Sequence, residues 1–194
     1  MSLTHIALSV AALSLIAAPA GAEELEKLGE KHGCVIYKGP MGETGISSVV
    51  AKCVWDLPAD TVIAAVSNVE MHDDWLSAVQ SCTSLGSDRW VQVHQASGIS
   101  DRQITLKFTN AKRADGGFRT SWTRSDPQEA LGDKRIFANV DDGYWDVTPN
   151  GTGSTVEYGL LYDPAGKVPK WIVNSFQKSG TMDTLGEMKA AAAK

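Results

Sequence analysis

The 194-residue sequence has no block of basic residues: 18 lysines and arginines stand against 23 acidic residues, for a net charge of −5. Nucleic-acid-binding proteins carry clustered basic residues, so this pattern excludes nucleic acid as an expected partner. After residue 22 the sequence also lacks an apolar run of about 20 residues, the length that a membrane-spanning helix requires. The mild acidic excess indicates solubility and identifies no partner.

The one notable apolar run lies at the N-terminus, where residues 6–18 form a run of 13 residues. That run is too short to cross a bilayer, and the small-residue pattern Ala20-Gly21-Ala22 follows it. We predict that residues 1–22 are a secretory signal peptide cleaved near Ala22, which makes the mature protein periplasmic or secreted. A buried or disordered N-terminal helix is the alternative, because no lysine or arginine precedes the run.

Cysteine is scarce, with Cys34, Cys53 and Cys82 the three in the chain. Their spacing matches no zinc motif, and we predict neither a metal nor a cofactor. In an oxidising compartment either Cys34 with Cys53 or Cys53 with Cys82 can form a disulfide. Three small apolar core residues are the remaining interpretation.

Residues 23–194 have the length of one domain, and turn residues divide them into short elements. Residues 23–32 are charged and predict a short helix or arm, whereas residues 34–38 and 46–55 have strand composition. Pro58 opens a segment with helical spacing, and residues 70–76 predict a second short helix.

From about residue 78 to residue 163 the pattern predicts successive antiparallel strands. Alternation is clear where Ile104, Leu106 and Phe108 interleave with Thr105 and Lys107, which indicates one buried face and one face in water. The predicted strands of this run are residues 90–95, 103–110, 118–123, 135–140, 144–148 and 155–162, with Asn150-Gly151 as a hairpin turn.

The sequence does not decide which side chains of the predicted strand at residues 90–95 point inward. Either Trp90, Gln92 and His94 face the core, or the more apolar Val91 and Val93 do.

The last segment has helical periodicity, with Pro169 near its first turn and an alanine-rich end. A meander of strands with its helices segregated predicts an α+β domain, in which a curved antiparallel sheet wraps around one long C-terminal helix. The predicted apolar stripe of this helix comprises Val168, Trp171, Ile172, Ser175, Phe176, Ser179, Met182, Leu185 and Met188.

A long sheet must twist and curl, and one helix laid in the curl leaves space unless the facing side chains are large. The predicted lining is apolar with a few hydroxyls, which suits a hydrophobic ligand. The same residues also fit a fully packed core, the alternative that periodicity leaves open. The candidates are Ile104, Leu106, Phe108, Phe118, Thr120, Trp122, Tyr158, Leu160, Ile172, Phe176 and Met182.

Four stretches in order resemble the START lipid-transfer domains, which have the helix-grip fold. They span nearly all of residues 33–192 and carry the family's opening strands, its first helices with Trp75, an Arg-Asp-like strand start and the entry of its C-terminal helix. The stretches are Val35-Ile36-Tyr37-Lys38, Leu57-Pro58-Ala59-Asp60-Thr61-Val62 with Met71-His72-Asp73-Asp74-Trp75, Ser100-Asp101-Arg102-Gln103-Ile104, and Gly166-Lys167-Val168-Pro169-Lys170-Trp171-Ile172-Val173-Asn174.

The resemblance implies a monomeric carrier, without catalytic residues, that binds a sterol, a phospholipid or another polycyclic or acyl lipid. It adds Trp75, His94 and Trp171 to the predicted ligand-binding residues and implies a transient membrane contact. The chain departs from the family where Gln103 replaces an Asp and where Phe108 stands at the place of a buried Arg. His94 lies near the position at which those family members carry the acidic partner of that arginine.

The same superfamily contains polyketide cyclases and aromatases, so an enzyme acting in the same cavity is the alternative. It requires polar groups at the cavity base, for which His94, Arg102 and Tyr158 are the candidates.

Two exposed-looking clusters carry weaker hypotheses. The cluster His72-Asp73-Asp74 suits a metal or acid–base role, or simply a solvated helix start. Lys167, Lys170 and Trp171 suit contact with a membrane or a partner during ligand exchange, or the two lysines are simply solvated.

Overall fold

The computed structural model describes residues 25–95, 98–130, 132 and 136–194. The predicted signal peptide lies outside these residues and stays a prediction. Within the described ranges, helices are either too short or too polar to span a bilayer.

In the described residues, ten strands form one sheet, antiparallel along the order β1-β2-β3-β10-β9-β7-β6-β5-β4, and β8 pairs in parallel with β6. This confirms the predicted meander and its hairpin at Gly151, which has the positive φ of 62° that such a turn requires. The strands are β1 (Lys27–Lys31), β2 (Cys34–Met41), β3 (Ser47–Trp55), β4 (Val79–Ser84), β5 (Arg89–His94), β6 (Arg102–Lys112), β7 (Phe118–Arg124), β8 (Ile136–Phe137), β9 (Val140–Asn150) and β10 (Gly153–Asp163).

The α-helices in this part of the chain lie on the concave side: α1 (Ala59–Ser67), α2 (His72–Trp75) and α3 (Lys170–Ala192), with a 3₁₀ turn at Val69–Met71. Helix α1 forms as the sequence predicts, with Pro58 as the N-cap residue just before its first helical position, and Val62 and Val66, one turn apart, are fully buried. The core lies between these helices and the sheet, where Trp55, Leu185 and Met188 are almost completely enclosed.

The N-terminal segment corrects one expectation, because residues 27–31 form strand β1 instead of a helix. This strand pairs antiparallel with β2 and so covers what would otherwise be the free edge of β2. Leu28 packs against the core, and the positive φ angles of His32 and Gly33 make the two-residue turn into β2. Tertiary pairing therefore overrides the charged composition.

A disulfide joins Cys34 to Cys53, two residues that lie directly opposite each other on β2 and β3. The structure thus selects the first of the three interpretations, and Cys82 is a free thiol. Burial raises the pKa of the Cys82 thiol to about 11, so it is a poor nucleophile at neutral pH.

Part of the convex face is also covered, which corrects the expectation that Thr105 faces water. Residues 125–130 run across the outside of β6, where the Glu129 amide donates to Thr105 Oγ1 at 2.8 Å. Gln103 and Thr105 are consequently buried together with Val91 and Val93. Both faces are therefore enclosed along β5 and in the first half of β6, and Gln92 and His94 are the β5 side chains that face the cavity side.

The predicted stripe of helix α3 is confirmed at Leu185 and Met188, which are fully buried, but the first half of the helix departs from it. Its buried side chains include Val173, Gln177 and Thr181, at intervals of four residues, while Trp171 is 73% exposed and Phe176 is 39% exposed. Gln177 is tolerated inside because it accepts from the Tyr162 amide at 3.0 Å and donates to the Ser47 carbonyl at 2.9 Å. In this half of the helix, the polar residues Gln177 and Thr181 therefore face inward beside Val173.

Candidate functional site

A cavity of about 630 Å³ lies between the concave face of the sheet and α3. This volume falls within the usual range of small-molecule sites. The lining includes sheet residues Val79, Gln92, His94, Arg102, Phe108, Trp122, Asp141, Trp145, Tyr158, Leu160 and Tyr162, helix residues His72, Val173, Phe176, Gln177, Ser179, Gly180, Thr181, Asp183, Thr184 and Glu187, and loop residues Leu76, Ser77, Ile99, Ser100, Pro164 and Val168.

Aromatic rings form the sheet wall of the cavity. Phe108 stacks on Trp122 at 5.9 Å between ring centroids, and Tyr158 lies 4.3 Å from Trp145 and 6.2 Å from Trp122. The strand alternation places these rings inward, and Gly143 on β9 gives the Trp122 ring room that a Cβ would fill. The wall is rigid, apolar and suited to an apolar ligand.

A chain of hydrogen bonds runs along β5 beside this wall. The amide nitrogen of Gln92 contacts His72 Nδ1 at 3.2 Å, and its amide oxygen contacts His94 Nε2 at 3.0 Å. An amide nitrogen only donates and an amide oxygen only accepts. His72 Nδ1 is therefore an acceptor with its proton on Nε2, and His94 carries a proton on its own Nε2.

His94 continues this chain toward a buried carboxyl group. Its Nδ1 lies 3.6 Å from Asp141 Oδ2, while Trp122 Nε1 donates to Asp141 Oδ1 at 2.8 Å. Burial is the main cause that raises the pKa of Asp141 and lowers the pKa of His94. The raised pKa of Asp141 and the lowered pKa of His94 both favour the uncharged form of the side chain. The cavity therefore carries less charge than these residue types suggest.

Arg102 is buried at the end of β6, where its Nε donates to the Pro164 carbonyl at 2.7 Å and its Nη1 to the Ser100 carbonyl. These bonds hold the segment that leads into α3 against the start of β6. The guanidinium thus positions the loops on either side of one end of the cavity.

The tyrosines of the wall do not supply an acid or base at neutral pH. Burial raises the pKa of Tyr158 and of Tyr162 far above the usual value, and the nearby Asp141 adds to the effect. Burial lowers the pKa of His72 to about 4, so this imidazole is neutral at pH 7.

The cluster His72-Asp73-Asp74 does not act as a unit. His72 faces the cavity and contacts the rings of Trp75 and Phe108, whereas Asp73 accepts from the Cys82 amide at 3.1 Å and Asp74 is exposed. Within the described ranges, groups of three or more His, Cys, Asp or Glu side chains placed to hold a metal ion are absent.

The predicted ligand-binding residues divide into three groups. Those that line the cavity are His94, Phe108, Trp122, Tyr158, Leu160 and Phe176. Those buried or half-buried in the surrounding core or at the helix flanks are Trp75, Ile104, Leu106, Phe118, Thr120, Ile172 and Met182. Trp171 lies on the surface.

Sequence reasoning missed several lining residues, and only some of them carried a signal. Trp145 follows from alternation with Val147 along β9, and Gln92 follows from the family parity of β5. Asp141, Gln177 and Thr181 are polar residues whose burial depends on partners from distant parts of the chain, so local pattern contains no sign of them.

A family model described as "Polyketide cyclase / dehydrase and lipid transport" matches residues 47–193. An uncharacterized protein of Pseudomonas aeruginosa is 28% identical over 95% of this chain and 94% of its own length.

Among solved structures, a STAR-related lipid transfer protein from Xanthomonas axonopodis superposes with a TM-score of 0.79 at 17% identity, over 89% of this chain and 100% of that one. Human StAR-related lipid transfer protein 5 gives a TM-score of 0.77 at 14% identity, over 87% and 86%. At these identities the likeness shows the fold, which is the helix-grip arrangement that the sequence predicts.

Proposed function

Because this chain belongs to the polyketide cyclase, dehydrase and lipid transport family, we propose that it is a carrier that encloses one lipid in its cavity. The observation that supports this most strongly is the cavity of about 630 Å³ against the aromatic wall of Phe108, Trp122, Trp145 and Tyr158. Moving apolar ligand surface from water into such a site is favourable by about 25 cal/mol per Å². The protein would thereby shield a lipid from water between membranes.

The polar groups of the cavity also suit a binding role. Gln92 is hydrogen-bonded to His72 and His94, and Trp122 donates to Asp141. Arg102 is engaged with two backbone carbonyls. A preformed polar network orients a ligand at small cost in reorganisation.

We further propose that the start of α3 touches the membrane during ligand exchange. Trp171 is 73% exposed, and the exposed Lys167 and Lys170 flank the same turn. Val168 and Phe176, its neighbours along the chain, line the cavity. Tryptophan and lysine are the side chains that settle at membrane interfaces, so a lipid could pass there directly between bilayer and cavity.

An exported location fits two features of the chain. The run at residues 6–18 has the layout of a signal peptide, and the Cys34–Cys53 disulfide is typical of oxidising compartments. We therefore place the carrier in the periplasm or outside the cell, as a proposal that measuring the mature N-terminus in secreted fractions would check.

Transfer of a fluorescent lipid between donor and acceptor vesicles tests the carrier directly. We expect the protein to accelerate transfer, and Trp171→Ser to slow it while leaving equilibrium lipid binding unchanged. Val54→Ser is the matched control, since Val54 is 64% exposed on β3 and should have no effect. If the protein neither binds nor transfers lipids of neutral, anionic or zwitterionic type, the carrier role is refuted.

A cyclase-like enzyme is the second candidate, favoured by the contact of His94 with Asp141 and by the buried Arg102 on the same cavity. An enzyme of this kind loses turnover in His94→Ala while it still binds substrate. A carrier has no turnover to lose and keeps most of its affinity in that variant.

A further inference from the structure

Arg102 differs from the other arginines that the structure describes. Those on the surface each form an ion pair with a carboxylate: Arg89, Arg113, Arg119 and Arg124. Arg102 is 3% exposed and bonds to backbone carbonyls, without an ion pair to any described carboxylate. An arginine keeps its positive charge inside a protein, and buried charges are normally paired. The missing partner of Arg102 therefore calls for an explanation.

One nitrogen of this guanidinium is left over after its contacts with the protein. Nε donates to the Pro164 carbonyl at 2.7 Å and Nη1 donates to the Ser100 carbonyl. Nη2 has no hydrogen-bond partner among the described residues, and it is not enclosed by other atoms as the unpartnered Nε of Arg89 is. Since Arg102, Ser100 and Pro164 all line the cavity, Nη2 is accessible from that space.

Gly166 keeps this nitrogen uncovered from the side of α3. Its φ angle is 75°, in the region that favours glycine, and a Cβ added there would lie 3.7 Å from Arg102 Nη2. The guanidinium is thus held in place by two backbone carbonyls, with one N–H group presented to a ligand.

The carboxylates that line the cavity do not supply the missing negative charge. Burial raises the pKa of Asp141, which favours its uncharged form. Asp183 and Glu187 lie about 20 Å and 25 Å beyond the first residue of α3, whereas Arg102 bonds to the segment before that residue. Asp101 precedes Arg102 in the chain without forming an ion pair to it. A ligand is therefore the remaining source of an anion.

The dimensions of the cavity restrict that ligand. At about 30 Å³ per non-hydrogen atom, the volume of one water molecule in the liquid, about 630 Å³ holds about 20 such atoms. Arg102 and Phe108 both line the cavity from β6 and lie about 20 Å apart along the strand. One alkyl chain or a small fused-ring system suits this space, and a two-chain phospholipid requires much more.

We propose that Arg102 Nη2 binds the carboxylate of an apolar monocarboxylic acid, whose hydrocarbon part lies against Phe108 and Trp122. This inference rests on the proposed carrier function and names the ligand class of the cavity. One unpaired nitrogen and one unpaired positive charge match a carboxylate. A phosphate monoester carries more charge and more oxygen atoms than this nitrogen serves.

Probes that differ in their head group test the assignment on the wild-type protein. The linear series is palmitate, 1-hexadecanol, hexadecylamine and hexadecyl phosphate, and the ring pair is 1-pyrenebutyrate and 1-pyrenebutanol. Each is added below the concentration at which it forms micelles, and binding is followed by tryptophan fluorescence and native mass spectrometry. In the skeleton that fits, we expect the carboxylate to bind about 10- to 100-fold more tightly than the alcohol, as a hydrogen bond to a charged group gives.

The charge of the bound acid gives a second readout that needs no variant. A neighbouring guanidinium lowers the pKa of a carboxyl group, whereas burial in an apolar cavity without a cation raises it. We expect the carboxyl ¹³C NMR signal of the tightest-binding acid to titrate at a lower pH in the complex than in free solution. A signal that titrates at the same or a higher pH overturns the assignment.

Variants separate the contact with Arg102 from general packing. We expect Arg102→Met to reduce the preference for acid over alcohol about tenfold or more, with alcohol binding unchanged, and Arg102→Lys to restore part of the preference. Arg124→Met is the matched control, because Arg124 also bonds to backbone carbonyls, those of Ala138 and Asn139, and does not line the cavity. It should keep the wild-type preference.

The outcomes distinguish this inference from the carrier function beneath it. Equal affinity for acid and alcohol, or a preference for hexadecylamine or hexadecyl phosphate, overturns the carboxylate site and leaves the carrier intact. A preference for acid that survives in Arg102→Met also overturns it. If that variant does not fold, the ¹³C titration of the wild type decides. Failure of every probe to bind removes the carrier and the site together.

Discussion

Gly180 allows the cavity to be probed through stability. It lies in the interior of α3 and lines the cavity, and a Cβ built there has no heavy atom within 4 Å. Replacing glycine by alanine inside a helix stabilises it by about 1 kcal/mol, because alanine has less backbone freedom to lose. Gly180→Ala should therefore raise the free energy of unfolding by about that amount, which corresponds to about 2–4 °C in Tm.

Gly180→Leu then adds a side chain that reaches into the cavity. Fully burying a leucine contributes about 1.5–3 kcal/mol, and partial burial against the aromatic wall should contribute about 1 kcal/mol beyond the alanine variant. Urea denaturation of the wild type, Gly180→Ala and Gly180→Leu measures both steps. If the space were packed, leucine would instead overpack it and destabilise the protein by about 1–3 kcal/mol relative to alanine. That sign would refute the cavity.

Three further predictions concern buried groups. Burial lowers the pKa of His72 from 6.5 to about 4, so between those pH values the unfolded state holds a proton that the folded state does not. Acidification across that window should destabilise the wild type, and His72→Asn should reduce the pH slope of stability by up to about 1.4 kcal/mol per unit; equal slopes would contradict the assignment. Reducing the bridge between Cys34 and Cys53, which closes a separation of 19 residues, should lower the free energy of unfolding by about 3 kcal/mol. An unchanged urea midpoint would count against a formed disulfide. Gln177→Leu should destabilise by about 2–4 kcal/mol, since two buried backbone groups lose their partner, and a loss below about 0.5 kcal/mol would show that those bonds do not form.

The fold followed from the sequence where burial is governed by local periodicity. Alternation in β7 and β10 placed Phe118, Trp122 and Tyr158 on the inner face, and the structure confirms it. The charged composition of residues 27–31 predicts a helix or arm instead of strand β1, because the strand forms by pairing with β2 and composition does not reveal that partner.

The candidate site was less predictable because a helix that faces a cavity does not need its most apolar side inward. Phe176 lines the rim while Trp171 faces solvent, and the inward positions are held by Gln177, Gly180 and Thr181. Gln177 is inside because it bonds to backbone groups, and Gly180 because its small size leaves space. Neither reason appears in a hydrophobic pattern.

The polar contacts beside the cavity, which involve His72, Gln92, His94, Trp122 and Asp141, are the hardest feature to predict from the sequence. Its members come from α2, β5, β7 and β9, and the contact of His94 with Asp141 joins residues 47 positions apart in sequence. Such contacts exist only after the strands have paired, so a single sequence can nominate His94 but not its partners.

Native mass spectrometry of the protein purified from its own host tests the central claim most directly. The account predicts that the wild type carries one apolar molecule, released on denaturation, and that Gly180→Leu, whose side chain occupies the same space, carries markedly less. The account is contradicted if the wild-type protein is detected without a bound molecule and takes up none from a total lipid extract of that host.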